Sequence, residues 1–412
     1  MTIERILLLT ALLGQGALAI GAMNWVHGLG LRFRRIDAVT AGILLLVMLS
    51  GVGVVGWYWS VPLAGWPRVL VVLAVLAAPM GVVYQPLAAL KRGLRRPPHG
   101  VSGRTTPCPL LDDENKEIGW GMDSWFLRLP GNESLSLVRA DWTLRRPGLP
   151  QPLDGMTIVL LTDLHFSQAY DLRYFEAVAD QAAECEADLV LFGGDLIDDP
   201  VCHDWIVPVL SRVRGRLGSF AVLGNHDRWF DTDKTTLELN RAGYEVLDGR
   251  WTRLDVAGAR LAIGGTSAPW GPRPDPAQRP EADATILLSH SPDLFPRAAS
   301  WGVDLMFSGH NHAGQVRVPG IGPILMPSVY SRRFDRGFFT RGRTLLYVGQ
   351  GIGAKHPLRY GCPPELATFT LRVPRARSPH HARGARLHES VSAISIPPLG
   401  YWEQYRQGDD DQ

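Results

Sequence analysis

Five short stretches of this 412-residue chain put metal-binding side chains directly after apolar runs. They are Asp163-Leu164-His165, Gly194-Asp195, Gly224-Asn225-His226-Asp227, Ser289-His290 and Gly309-His310-Asn311-His312. Their donors are imidazoles, carboxylates and one amide oxygen. That mixture suits Mn, Fe or Zn better than Ca or Mg alone, which favour oxygen shells. None of the five stretches contains a cysteine, which argues against a structural zinc site. Taken singly, each has a plain reading. Asp-x-His is a polar turn, Gly-Asp a turn pair, Asn-His-Asp a helix cap and Ser-His a hydrogen-bonded histidine. Their occurrence in order, each closing an apolar run, within about 150 residues, is not explained that way.

The elements that must position these residues are short. Apolar runs at 156–161, 188–192, 220–223, 261–264, 284–288, 305–307, 322–326, 344–348 and 366–371 predict strands, and 171–186 and 205–214 predict helices. Runs bounded by glycine and alternating with helices imply an α/β sheet buried on both faces. Ligands of such sheets bind beyond the carboxyl ends of the strands. In an extended segment residues i and i+2 point the same way. Asp163 and His165 are therefore expected to face one ion, and His310 and His312 one cleft.

The first hundred residues are different. Stretches 6–31, 39–67 and 69–90 contain no Asp, Glu, Lys or Arg, and a spanning helix needs about 20 mostly apolar residues. Gln15, Asn24 and His27 interrupt the first stretch. Two further apolar segments and the lack of a strongly basic start argue against a signal peptide. The expectation is three spans, with two as the alternative. Arg32, Arg34 and Arg35 follow the first segment, and Lys91, Arg92, Arg95 and Arg96 follow the third. Basic loops favour the cytoplasmic side, which puts the N-terminus outside, the region after Arg96 in the cytoplasm, and Trp57, Trp59 and Trp66 at the outer interface. The chain thus divides into an anchor (1–96), a connector with short strands expected at 125–129 and 134–144 (97–150), a catalytic domain (151–373) and a basic, then acidic, disordered tail (374–412). On the expected cytoplasmic side, the Asn132-Glu133-Ser134 sequon carries no meaning.

The net charge of +2 gives no reason to expect a nucleic-acid partner. The four cysteines show no metal-type spacing and are expected as free or buried thiols.

The order DLH, GGD, GNHD, SH, GHNH resembles the calcineurin-like metallophosphoesterase superfamily over about 156–371. LLSHSPDLF, SGHNHAGQVRVPG and the late GCPPE are similar to its bacterial membrane-associated branch. That branch often has GHTHGGQ, from which Asn311 and Ala313 depart while both histidines are kept. The resemblance implies a four-layer sandwich of two β-sheets flanked by helices, here preceded by transmembrane helices. It implies that Asp163, His165 and His312 hold one divalent ion, that Asn225, His290 and His310 hold a second, and that Asp195 bridges them. His226 would act on the phosphate without binding metal, and Asp227 would orient it. A water activated between two ions about 3.5–4 Å apart would be the nucleophile, with no covalent phosphoenzyme.

For substrate, the lipid bilayer anchor points to a phosphodiester or pyrophosphate of a membrane-associated, lipid-linked compound. A phosphomonoester or phosphoprotein is the alternative, and a non-catalytic scaffold ranks below both because every expected position is filled. Arg228, Trp229, Phe230 and Trp270 are expected near the pocket mouth, Arg228 against phosphate.

Overall fold

The computed structural model describes residues 3–31, 33–58, 69, 72–74, 76–77, 79, 83–110 and 119–374. The tail beyond Pro374, Trp59, Trp66 and residues 70, 71, 75, 78 and 80–82 of the third apolar segment lie outside the described residues.

Among the described residues, fifteen short strands build the catalytic part: β1 (Val101–Pro107), β2 (Val138–Arg145), β3 (Thr157–Leu161), β4 (Leu189–Phe192), β5 (Gly218–Ala221), β6 (Glu245–Val246), β7 (Trp251–Val256), β8 (Ala259–Thr266), β9 (Ala284–Ser289), β10 (Leu305–Ser308), β11 (Arg317–Val318), β12 (Gly322–Pro323), β13 (Gly337–Arg341), β14 (Thr344–Val348) and β15 (Glu365–Arg372). One sheet runs β1-β2-β15-β3-β4-β5-β6 and a second β13-β14-β10-β9-β8-β7, with β11 and β12 as a small separate pair. The two sheets face each other. Side-chain alternation along each buried strand explains the layering. In β3, Ile158 and Leu160 pack into the core between the sheets, while Val159 and Leu161 pack outward. The outward side chains meet Tyr174, Phe175 and Val178 of the helix Leu172–Ala183. In the second sheet, Leu305 and Phe307 point inward, and Met306 points out to Phe295 of the helix Phe295–Ser300. The result is helix, sheet, sheet, helix: the expected four layers.

Several expectations change. The stretch 122–128 is a 3-10 helix, not a strand. Strand expectation at 322–326 shrinks to the two residues of β12. The helix expected at 205–214 is a 3-10 turn, Pro200–Trp205, followed by Ile206–Leu210. The expected connector is not peripheral to the fold. β1 and β2 extend the first sheet through the parallel pairing of β2 with β15.

At the N-terminus, the helices Ile3–His27 and Phe33–Tyr58 contain stretches of 20 and 22 residues long and apolar enough to cross a bilayer. Ala11, Val54 and Ala74 form a small packed cluster between the apolar segments. The polar interruptions of the first helix each make a hydrogen bond, although the buried Oε1 of Gln15 has no partner. Gln15 donates to the carbonyl of Val47 in the second helix, His27 bonds the carbonyl of Met23 at 2.8 Å, and Asn24 reaches the catalytic part. A polar side chain in such a helix is tolerated when it is satisfied inside the protein.

Candidate functional site

All five chemical stretches follow carboxyl ends of strands, but of two sheets. Asp163 and His165 follow β3, Asp195 follows β4 and Asn225 follows β5; His290 follows β9, and His310 and His312 follow β10. The parallel pairings β3–β4–β5 and β8–β9–β10 bring these ends to one place. Asp163, His165, Asp195 and His312 offer ligand atoms within 4.8 Å of one another, as do Asp195, His290 and His310. Asp195 belongs to both groups. All seven candidate ligands are buried.

Strand alternation does not juxtapose Asp163 with His165, as the sequence suggested. Both have left-handed backbone, with φ of 56° and 47°, and so do Asp195 (56°), His310 (67°) and His312 (44°). Such conformations cost non-glycine residues about 1–3 kcal/mol each and persist where the surroundings enforce them. Five candidate ligands thus sit on turns that break from the strand and aim side chains into the cleft. Gly224 makes room for this: a Cβ there would lie 1.9 Å from Asp195 Oδ1.

Hydrogen bonds settle which ring nitrogens face inward. His290 Nδ1 donates to the Gly193 carbonyl at 2.8 Å, and His310 Nε2 to the Pro327 carbonyl at 2.8 Å. His290 Nε2 and His310 Nδ1 then face each other at 3.1 Å, with Asn225 Oδ1 3.0 Å from His290 Nε2. Three acceptors converge where only a proton or a cation can sit between them. On the other side His165 Nδ1 bonds Asp198 Oδ2 at 2.8 Å, and His165 Nε2 meets His312 Nε2 at 2.9 Å. Imidazoles about 2.0–2.1 Å from one ion at right angles place their nitrogens about 3 Å apart. The donor set therefore fits two divalent ions.

The charges agree. Burial alone would depress His165, but Asp198, Asp195 and Asp163 outweigh it and raise His165 to about 9. Burial likewise opposes the charge on His290, yet Asp195 and Asp163 raise it to about 9. Burial and the His290 charge push His310 well below the imidazole range. Burial, His165 and the Arg359 guanidinium do the same to His312. Protons on two histidines offset the buried carboxylates when no cation does.

Asp227 does not orient His226, contrary to expectation. Its carboxylate accepts the backbone N–H groups of Leu196 (2.8 Å), Ile197 (3.1 Å) and Gly224 (2.8 Å), tying together the two loops that carry Asp195 and Asn225. Burial and Asp195 push it up to about 6. The group that meets His226 is Asp198, whose Oδ1 bonds His226 Nδ1 while its Oδ2 bonds His165. Burial would raise Asp198, but the two imidazoles hold it well below the carboxylate range. The Asp195-Leu196-Ile197-Asp198 spacing was the available signal for it. Arg228 is also occupied, by Ser267 Oγ at 2.9 Å and by Asp248. Trp229 lies 4.5 Å from the His226 ring, and Trp270 lies 4.6 Å from the His310 ring. A further residue missed in the sequence is Arg359, fully buried and held by the carbonyls of Gln350, Gly353 and Cys362, with Nη2 3.2 Å from His312 Nδ1. None of the four cysteines is disulfide-bonded.

Two outcomes are expected. A histidine raised to about 9 lends the metal-free protein stability that is complete below about pH 6.5 and lost as pH rises through 9. Cations must displace the same protons, so Mn²⁺ affinity should rise about ten- to hundred-fold from pH 6.5 to 8.5. Calorimetric titration at both pH values checks this, and a flat profile would contradict it. Asp198→Asn should lower metal affinity or turnover about 10–100-fold, whereas Asp227→Asn should act on stability, by about 1–3 kcal/mol. Thermal melts beside metal titrations separate the two.

Comparison with known proteins agrees with this geometry. The family model "Calcineurin-like phosphoesterase" matches residues 156–314. A Bacillus subtilis protein described as the uncharacterized metallophosphoesterase YkuE is 30% identical over 56% of this chain and 84% of its own length. Phosphodiesterase YaeI of Escherichia coli is 33% identical over 52% of this chain and 81% of its own. The UDP-2,3-diacylglucosamine pyrophosphatase LpxG of Chlamydia muridarum is 23% identical over 56% of this chain and 88% of its own. With motifs in order, two sheets converging on a buried His/Asp cluster, and relatives matched over most of their length, this chain belongs to the calcineurin-like phosphoesterase family and is a metal-dependent hydrolase of phosphate esters.

Proposed function

We propose that the chain holds two ions, one on Asp163, His165 and His312 and one on Asn225, His290 and His310, with Asp195 shared, and hydrolyses a phosphodiester or pyrophosphate of a lipid-linked substrate. The observation that carries the two-ion reading is the pair of ligand groups meeting at Asp195. The mixed imidazole and oxygen donors favour Mn, Fe or Zn. Bound divalent ions would supply charge neutralisation at the phosphoryl oxygens and an activated water. The chain's own groups do the rest. Asp198 holds the His226 ring in one orientation through Nδ1, so Nε2 is the atom left to meet a phosphate oxygen or to donate a proton to the leaving oxygen. The backbone N–H of His226 donates to Asp195 Oδ1 at 2.9 Å, which fixes the shared carboxylate relative to that ring.

Support for a lipid-linked substrate comes from the two apolar helices and from the indole rings of Trp229 and Trp270 beside the site. It comes also from relatives named as a phosphodiesterase and as a UDP-2,3-diacylglucosamine pyrophosphatase. We read the chain as an integral protein of the cell membrane, its catalytic part cytoplasmic and beginning near β1. The first helix ends against the catalytic part, which favours the basic residues Arg32, Arg34 and Arg35 lying on the same side as that part, as the positive charge between the first two apolar segments suggests.

Full-length protein in detergent with Mn²⁺ should hydrolyse an aryl phosphodiester faster than the corresponding monoester. Asp195→Ala should lose both ions and all turnover. His226→Ala should keep two ions and lose about 10²–10⁴-fold in rate. Monoester preference would overturn the substrate class, and full activity in metal-loaded His226→Ala would overturn the role of that ring.

A further inference from the structure

The first apolar helix touches the catalytic part at the segment that supports His310. Residues 324–330 run between β12 and a turn at Ser331 without strand or helix pairing. A segment of that kind is positioned by side chains. Asn24, 2% exposed, supplies them from one side. Its Oδ1 accepts the Met326 N–H at 2.8 Å, and its Nδ2 donates to Ser331 Oγ at 3.0 Å and toward the Ile324 carbonyl at 3.5 Å. Asp293 holds the segment from the other side through Ser328 Oγ and through the Val329 N–H at 2.9 Å. Between these two clamps lies Pro327, whose carbonyl accepts the Nε2–H of His310. That bond leaves His310 Nδ1 as the atom facing His290.

The contact is close along the helix end. A Cβ on Gly28 would lie 2.3 Å from Val329 N, so only glycine lets the helix approach this far. Two residues on, Gly30 lies against Pro269, next to Trp270, whose ring packs 4.6 Å from that of His310. Both supports of the His310 ring, the Pro327 carbonyl behind it and the Trp270 indole over it, are therefore braced by 24–30.

We propose that Asn24 is a positioning residue of the metal site: through the 324–331 segment, the first apolar helix sets the ring of His310 and with it the affinity of one ion. The proposal rests on the reading of His310 as a ligand. It explains why a stretch free of charge from Ile6 onward carries a buried amide at its end. An amide is costly in apolar surroundings unless satisfied, and here it is satisfied wholly by the segment behind the metal site. Groups that orient a ligand imidazole through its second nitrogen are worth about 10–100-fold in metal affinity.

The test uses the full-length chain in detergent and Mn²⁺ as the probe, with stoichiometry and affinity read by titration and by the spin-coupled Mn²⁺ signal of a dinuclear site. His310→Ala should weaken one ion. Asn24→Leu should weaken the same ion about 10–100-fold and leave the other unchanged. In a His310→Ala background, Asn24→Leu should add nothing. If His310→Ala binds both ions as the parent does, the ligand reading falls, and the proposal with it. If His310→Ala weakens one ion while Asn24→Leu binds both normally, or if the two effects add, the proposal alone falls. Should Asn24→Leu fail to fold, Ser331→Ala removes the Nδ2 bond from the catalytic side. A several-fold loss for the same ion is expected, and unchanged affinity overturns the proposal.

Discussion

The structure depends on holding three carboxylates and five imidazoles in one nearly dry place. Asp163, Asp195 and Asp198, with His165, His226, His290, His310 and His312, are packed so closely that Asp195 lies within 3.6 Å of His165 Nε2 and 3.4 Å of His290 Nε2. A buried uncompensated charge costs several kcal/mol even after relaxation. Such a cluster needs a positive partner. Protons on His165 and His290 can serve, and divalent cations could serve as well, since burial keeps His310 and His312 neutral and able to donate lone pairs. The same crowding that costs stability creates affinity for cations.

Everything around the cluster can be understood as geometry that keeps it from relaxing. Strands of both sheets carry the candidate ligands, and the core between the sheets fixes the ends of those strands. The left-handed turns at Asp163, His165, Asp195, His310 and His312 would open toward ordinary backbone if the loops were free. They are not free. Asp227 staples the loops after β4 and β5 through three backbone N–H groups, and the N–H of His310 donates to Asp163 Oδ1 at 2.9 Å, joining the two sheets at the site.

The candidate ligands were legible in the sequence because the signal is local: an apolar run, one or two small residues (glycine before Asp195, Asn225 and His310), then a donor. The two buried sheets were legible for the same reason, through runs such as 188–192 and 284–288. β1, β7 and β13 were not, because edge strands alternate half-buried with exposed residues and lack a continuous apolar run. The roles of Asp227 and Asp198 could not be separated either. Asp227 adjoins His226 in the chain, but the helical turn Asn225–Trp229 sends its carboxylate back to the N–H of Gly224, while Asp198 arrives from a different loop. Neighbourhood along the chain is a poor guide to which carboxylate meets which imidazole.

Asn24 shows how the meaning of a polar residue depends on what lies opposite. Read along the helix, it weakens a span. In the fold it makes the contact that satisfies Met326 and Ser331. A helix serving only as a tether would gain from leucine at that position, since about 25 cal/mol per Å² of apolar burial would replace a costly amide. The amide is satisfied by the segment opposite it, and that segment carries the carbonyl behind His310. The first apolar helix and the candidate site are thus joined through one segment, held by Asn24 on one side and bonded to His310 on the other.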